Sequence, residues 1–301
     1  MDNERFSYLE TDNDSGVVLG KTLDGRIVLD NGPENVLVLG AARCGKGINT
    51  VIPTAFTWKG SAFFLDYKGE AFEASSEYRQ NQLGHKIFRI NPLFYDGVHQ
   101  CQEDFDAIIH DLLNPEQKVT CYMVISLKDA NRAAPFVKLF VSTLISALLK
   151  RKSEKKVLLM LDDVSRLGEN GVLPILSAIP PYCGAKFCIV SRDIQLYHSE
   201  LQVLCSIFTS EYTNDEYLTN YLSDILGGCD ISLSRSQKES IFRKHFSPDE
   251  LHHLPSDSII VRGIGFRPLV LNRFQFFSEP YFMDKISSLY RKKLGFEHHT
   301  P

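Results

Sequence analysis

Residues 40–47 read Gly-Ala-Ala-Arg-Cys-Gly-Lys-Gly and fit the spacing GxxxxGK through Gly40, Gly45 and Lys46. Glycines at these places let successive backbone N–H groups turn inward on a phosphate, and a helix starting directly behind them adds its partial positive N-terminus. A lysine at this place reaches the β- and γ-phosphates of a nucleoside triphosphate. Gly40, Ala41, Ala42, Arg43, Cys44, Gly45, Lys46, Gly47 and Ile48 are therefore the expected nucleotide contacts, with Lys46 also acting on the reacting phosphate. Where a Ser or Thr hydroxyl usually meets magnesium, directly after the lysine, stands Gly47. The metal must then rely on a carboxylate, on water or on another hydroxyl.

A carboxylate pair is available. Lys-Val-Leu-Leu-Met-Leu-Asp-Asp at 156–163 is an apolar run ending in two acids. Asp162 is expected to hold magnesium, directly or through water, and Asp163 to orient the attacking water. The second acid is commonly Glu, and Asp is one methylene shorter.

The elements that position these groups read as short apolar runs alternating with amphipathic stretches. Strands are expected at 17–20, 26–29, 35–40, 61–66, 86–90, 119–127, 156–163, 185–191, 206–210, 258–263 and 267–274, and helices at about 45–57, 69–83, 129–150, 193–203, 214–226 and 281–293. Such alternation implies βαβ units and a mostly parallel sheet. Runs such as VLLML and FCIV lack polar alternation, as strands covered on both faces do. The fold expected is an α/β P-loop NTPase core, and the separation of 116 residues from Lys46 to Asp162 leaves room for intervening strands, as in RecA-like ATPase cores. Residues 94–118 are the least regular stretch and read as a loop with a short helical pattern at 103–113.

Composition removes several classes. Apolar residues make up 44% of the 301 and charged residues 23%, which excludes general disorder. Lys plus Arg number 33 against 37 Asp plus Glu, for a net charge of −4, which argues against a free-standing nucleic-acid binder wrapped in basic residues. The seven cysteines at 44, 101, 121, 183, 188, 205 and 229 form no CxxC, so they read as reduced thiols in a cytosolic protein and no zinc site is expected. The most apolar long stretch, FVKLFVSTLISALLK, reads as too short and too periodic to span a bilayer, and no direct membrane insertion is expected.

The stretch V-I-P-T-A-F-T-W-K-G-S-A-F-F-L-D-Y-K-G-E at 51–70 resembles the signature of type IV secretion coupling proteins, the TraG/TraD-like conjugative ATPases. Y-R at 78–79, L-G-H-K at 83–86, I-N-P at 90–92, L-D-D-V-S-R-L-G at 161–168, D-I-Q-L-Y at 193–197, T-N-D-E-Y-L-T-N-Y-L-S-D-I-L-G at 213–227 and F-S-P-D-E-L-H-H-L-P at 246–255 resemble further elements of that family. The resemblance covers about residues 16–284. It implies ATP and magnesium as ligands, a ring oligomer such as a hexamer, and type IV secretion or relaxosome components and single-stranded DNA as partners. It further implies a cytoplasmic location, peripheral at the inner membrane through partners.

On this reading residues 1–15 are a polar tail, 16–294 a single nucleotide-binding domain and 295–301 a C-terminal tail. Residues 94–118 stand where the family carries an all-α domain. Two positions depart from the family pattern. Asp163 replaces Glu, and Ser191 stands where a Gln senses the γ-phosphate. Both leave two functions open: an ATP-driven motor, or a nucleotide-gated adaptor with little hydrolysis. Asp66 either faces the nucleotide or caps the helix beginning near Gly69. Arg43 is a candidate for phosphate or a neighbouring subunit, Arg166, Arg192 and Arg235 are candidates for an arginine acting in trans, and Trp58 is expected in the core or an interface.

Overall fold

The apolar runs without polar alternation become interior strands. The structure is a computed structural model; it describes residues 6–41, 43–94, 98–151, 156–167, 172, 184–192, 207–211, 216–232, 240–263 and 266–295. The strands are β1 Ser7–Tyr8, β2 Val17–Lys21, β3 Ile27–Asp30, β4 Val36–Leu39, β5 Ala62–Tyr67, β6 Lys86–Ile90 and β7 Val119–Ile125. They continue with β8 Val157–Leu161, β9 Ala185–Ser191, β10 Ile207–Glu211, β11 Gly228–Ser232, β12 Ser240–Lys244, β13 Ser258–Gly263 and β14 Leu269–Asn272. The longer helices are α1 Ile52–Thr57, α2 Glu70–Asn81, α3 Val98–Leu112, α4 Ala130–Lys150 and α5 Glu216–Leu226.

Among the described residues, twelve strands form one sheet in the order β1-β3-β2-β14-β13-β10-β4-β9-β8-β5-β7-β6. From β10 to β6 every neighbouring pair is parallel. On the other side of β10, strands β13, β14, β2, β3 and β1 continue the sheet with antiparallel pairings. β9 lies between β4, which leads into the glycine-rich loop, and β8, which leads into the acid pair. The C-terminal ends of these three strands therefore share one edge, where an open α/β sheet binds ligands.

Helices cover both faces. On one face, Phe105 of α3 and Phe140, Leu144 and Leu148 of α4 pack over Phe63, Leu65, Leu159 and Ile189. The ring of Phe63 stacks on Phe140 at 4.7 Å, and Phe105 meets Phe140 edge-on at 5.0 Å. On the other face, α1 and α2 pack with Phe64, Tyr122, Phe276 and Phe282.

Two buried cations fix this framework. Arg79 of α2 is fully buried and donates to the carbonyls of Ala55, Trp58 and Gly60 at 2.7, 2.7 and 2.9 Å, and to Thr120 Oγ1 at 2.7 Å. It thereby ties α1 and the turn before β5 to α2. Near the N-terminal end of β9 Lys186 forms a fully buried ion pair with Asp30 and donates to the carbonyls of Gly32 and Glu34 at 3.0 and 2.8 Å.

Three expectations change. Residues 94–118 are not mainly loop, since α3 fills 98–112. Its buried side chains Phe105, Ile108, Ile109 and Leu112 follow helical spacing, and this stripe packs the helix on α4. The hairpin β11–β12, which the sequence reading lacks, pairs Gly228 with Lys244 through Ser232 with Ser240. Finally, Leu127–Lys150 spans 24 residues and holds an 18-residue window of mean hydropathy 1.5, so by length and composition alone it is long and apolar enough to cross a membrane. In the fold its Ala133, Val137, Phe140, Val141, Leu144 and Leu148 are buried against the sheet.

Candidate nucleotide site

β4 is buried along its whole length and ends at Leu39, directly before the loop. Gly45 has φ +109°, a conformation that strains any L-residue with a Cβ, and Arg43 adopts φ +65°. The carbonyl of Gly45 accepts the N–H groups of Ile48 and Asn49 at 2.8 and 2.9 Å, which starts the helix behind the loop. Gly47–Val51 is a wide π-type turn that runs straight into α1. The strand–loop–helix context that a phosphate loop requires is therefore present. Within it, the Lys46 ammonium donates to the carbonyls of Gly40 and Ala41 at 2.7 and 2.8 Å and lies 3.5 Å from Cys44 Sγ. Ala42 lies outside the described residues.

The acid pair follows β8. Burial above all, with the neighbouring Asp163 carboxylate adding and Lys46 opposing, pushes the Asp162 carboxyl up to about 6. That Lys46 acts on Asp162 places the loop cation and this acid in one electrostatic site. A divalent cation would meet the same carboxylate and lower its proton affinity. A Cβ built at Gly47 meets nothing within 4 Å, so the space beside the loop is open. Asp162 thus fits as the metal carboxylate, with water completing the shell.

Asp163 is held differently. Its backbone adopts φ +45°. Arg166 Nε donates to Oδ2 at 2.5 Å and Ser165 Oγ to Oδ1 at 2.7 Å, while Arg192 Nε lies 3.5 Å from Oδ1. Both carboxylate oxygens are engaged within the chain. Arg166 and Arg192 are therefore placed in cis on Asp163, and Arg235 lies outside the described residues. Ser191 pairs with Leu39 across the β4–β9 ladder and is fully buried.

Asp66 stands three strands from β4, at the end of β5. Its Oδ2 accepts the Phe72 N–H in the first turn of α2 at 2.9 Å, so it caps that helix. Burial, opposed by the Phe72 and Ala71 N–H groups, pushes its carboxyl up to about 7. Lys68 and Gly69 both adopt left-handed backbone, φ +81° and +76°, and make the tight turn into α2. Trp58 is a core residue whose Nε1 donates to the Ser61 carbonyl at 3.1 Å.

Sequence reasoning missed Arg273 and Asn49. Arg273, just after β14, donates through Nη1 to the Cys44 carbonyl, and Asn49 Oδ1 accepts the Phe274 N–H at 2.9 Å. The segment after β14 therefore braces the loop from outside. The one local signal was an arginine next to last in the run RPLVLNRF.

With this geometry in view, comparison with known proteins is informative. A family profile described as "Type IV secretory system Conjugative DNA transfer" matches residues 8–112 and 102–184. Protein VirD4 of Agrobacterium fabrum is 28% identical over 253 residues, covering 78% of this chain and 34% of that protein. Conjugal transfer protein TraG of Escherichia coli is 35% identical over 98 residues, 31% of this chain and 15% of that protein. The chain thus spans about a third or less of the length of these relatives. The solved structure of plasmid coupling protein TrwB in complex with ADP and Mg2+ superposes with a TM-score of 0.63 at 11% identity, over 89% of this chain and 90% of that one, a likeness of fold. The profile spans more than half of the sequence and includes both the phosphate loop and the acid pair, so the chain belongs to the type IV secretory system conjugative DNA transfer family.

Proposed function

We propose that this chain binds ATP with magnesium at the loop 40–48 and is the nucleotide-driven core of a coupling protein that recruits or drives DNA–protein or protein cargo into a type IV secretion or conjugative transfer channel. The observation that carries this reading is the shared sheet edge of β4, β9 and β8, which brings the loop with Lys46 and the acid pair with Asp162 to the same end of the sheet. The loop N–H groups and Lys46 hold the β- and γ-phosphates, and Asp162 holds the metal, which neutralises phosphate charge when bound. In hydrolysis the water oxygen bonds to the γ-phosphorus as the bond to the β–γ bridging oxygen breaks. ADP leaves with that electron pair, and Asp163 takes a proton from the water.

A second reading, a nucleotide-gated adaptor with slow hydrolysis, is favoured by one observation: both oxygens of Asp163 are already engaged by Arg166, Ser165 and Arg192. The partners implied by the family are relaxosome or secretion components, further copies of the chain in a ring, and single-stranded DNA, with location at the cytoplasmic side of the inner membrane through those partners. The test is calorimetry of Mg–ATP with the parent and Lys46→Ala, followed by steady-state hydrolysis with and without single-stranded DNA. Lys46→Ala is expected to weaken binding at least tenfold, the size of one lost charge-assisted contact. Unchanged affinity in the folded variant would sink the assignment. DNA-stimulated turnover supports the motor, and tight binding without turnover supports the adaptor.

A further inference from the structure

Ser191, the position at which the family pattern would place a γ-phosphate sensor, is fully buried beside Leu39. The next residue is an arginine. Arg192 stands at the C-terminal end of β9, between the loop strand β4 and the acid strand β8. Along β9, Cys188 and Val190 belong to the face packed on α1, the helix that leaves the phosphate loop. Arg192 follows that strand directly. Its side chain is 38% exposed, and its ion pair with Asp163 Oδ1 is long at 3.5 Å, whereas Arg166 holds the other oxygen at 2.5 Å. The two arginines therefore differ: Arg166 is fixed three residues from Asp163 in the same turn, and Arg192 is a loosely held guanidinium at the end of the strand next to the loop strand.

We propose that Arg192 reads the terminal phosphate in cis, and that its transfer from Asp163 to that phosphate leaves Oδ1 with only its Ser165 hydrogen bond, so that the second lone pair of Oδ1 can accept from the attacking water. A triphosphate offers Arg192 a bidentate, doubly charged partner in place of a single carboxylate oxygen shared with Ser165. A diphosphate ends one phosphate short and leaves Arg192 on Asp163. Arg166 keeps Oδ2 and Ser165 keeps one lone pair of Oδ1 throughout, so the carboxylate stays aimed while the other lone pair of Oδ1 opens. Arg192 is in this sense a positioning residue for Asp163 as well as a phosphate contact. The inference rests on the reading that the loop binds ATP.

The test compares affinities for Mg–ADP and for a non-hydrolysable Mg–ATP analogue by calorimetry, in the parent, Arg192→Ala, Arg192→Lys and Arg166→Ala, each checked for an unchanged thermal midpoint. Arg192→Ala is expected to lose about tenfold or more of its affinity for the triphosphate analogue while ADP affinity stays within about twofold. Arg192→Lys should recover part of that preference, and Arg166→Ala should keep it. Equal losses for ADP and the analogue, or no change for either, would overturn the proposal while leaving nucleotide binding intact. A folded parent that binds neither nucleotide removes the underlying reading, and this inference with it. Loss of the triphosphate preference in Arg166→Ala but not in Arg192→Ala would assign the sensing to the other arginine and refute it as well.

Discussion

Replacing Asp66 by Asn should remove most of a pH dependence of stability that this one carboxyl creates. Asp66 is 5% exposed, and burial raises its carboxyl from 3.8 to about 7. In the window from about pH 4 to pH 7 the folded chain holds a proton here that the unfolded chain has already released. The favourable contribution is thus complete below the unfolded value and is lost as pH rises through 7. About 3 pH units at about 1.4 kcal/mol each give about 4 kcal/mol across the window. Asn keeps an oxygen that can accept the Phe72 N–H, so the α2 cap survives without a titrating group. Asp162 is raised in the same direction and its charge adds to the Asp66 shift, so the difference between the two proteins reads Asp66 together with its coupling to Asp162. The assay is urea unfolding of parent and Asp66→Asn in a chelating buffer at half-unit steps from pH 4.5 to 8. The variant should gain on the parent steadily as pH rises. A stability difference that is constant across this range would refute the argument, because a lost or altered hydrogen bond alone gives a pH-independent offset.

Lys186→Met should cost about 3–5 kcal/mol in urea unfolding because it leaves Asp30 buried and unpaired, and adding Asp30→Asn should restore much of that; equal costs for single and double variants would contradict the pairing. Arg273→Ala frees the Cys44 carbonyl and loosens the loop from outside, so it should weaken Mg–ATP binding about tenfold with little change in the urea midpoint, and unimpaired calorimetric affinity would show that the brace is dispensable.

What could be read from the sequence was local. The loop 40–47 announces itself because phosphate binding needs glycine and lysine at fixed spacing, and unbroken runs such as Val157–Leu161 can only be strands covered on both sides. The second half of α3 was visible for the same reason, since Phe105, Ile108, Ile109 and Leu112 mark one helical face. Its first turn was not, because the sequence from Val98 onward is mostly polar and only the backbone continues the helix. The hairpin of β11 and β12 was hidden by its polar composition. In the site, Asp163 with Arg166 is a contact across three residues. Its contact with Arg192 crosses two strands of the sheet, and that of Arg273 with Cys44 spans 229 residues. Such pairings depend on strand order, which periodicity does not encode. Asp66 illustrates a different limit: a carboxylate at a strand end serves equally as a ligand or as a cap, and only the position of Phe72 decides.

The long reach of Arg273 bears on how the protein is made. β4 and its loop are synthesised early, but β4 gains β9, then β10, and finally the Arg273 brace in order of increasing distance along the chain. On the ribosome the loop therefore exists for most of translation as a glycine-rich segment without its strand neighbours. Contacts of this sequence separation close slowly, since the intervening chain must first be ordered. If the loop binds ATP as proposed, capture should come late, and a fluorescent ATP analogue should bind chains extended past residue 273 and not nascent ones stalled before it.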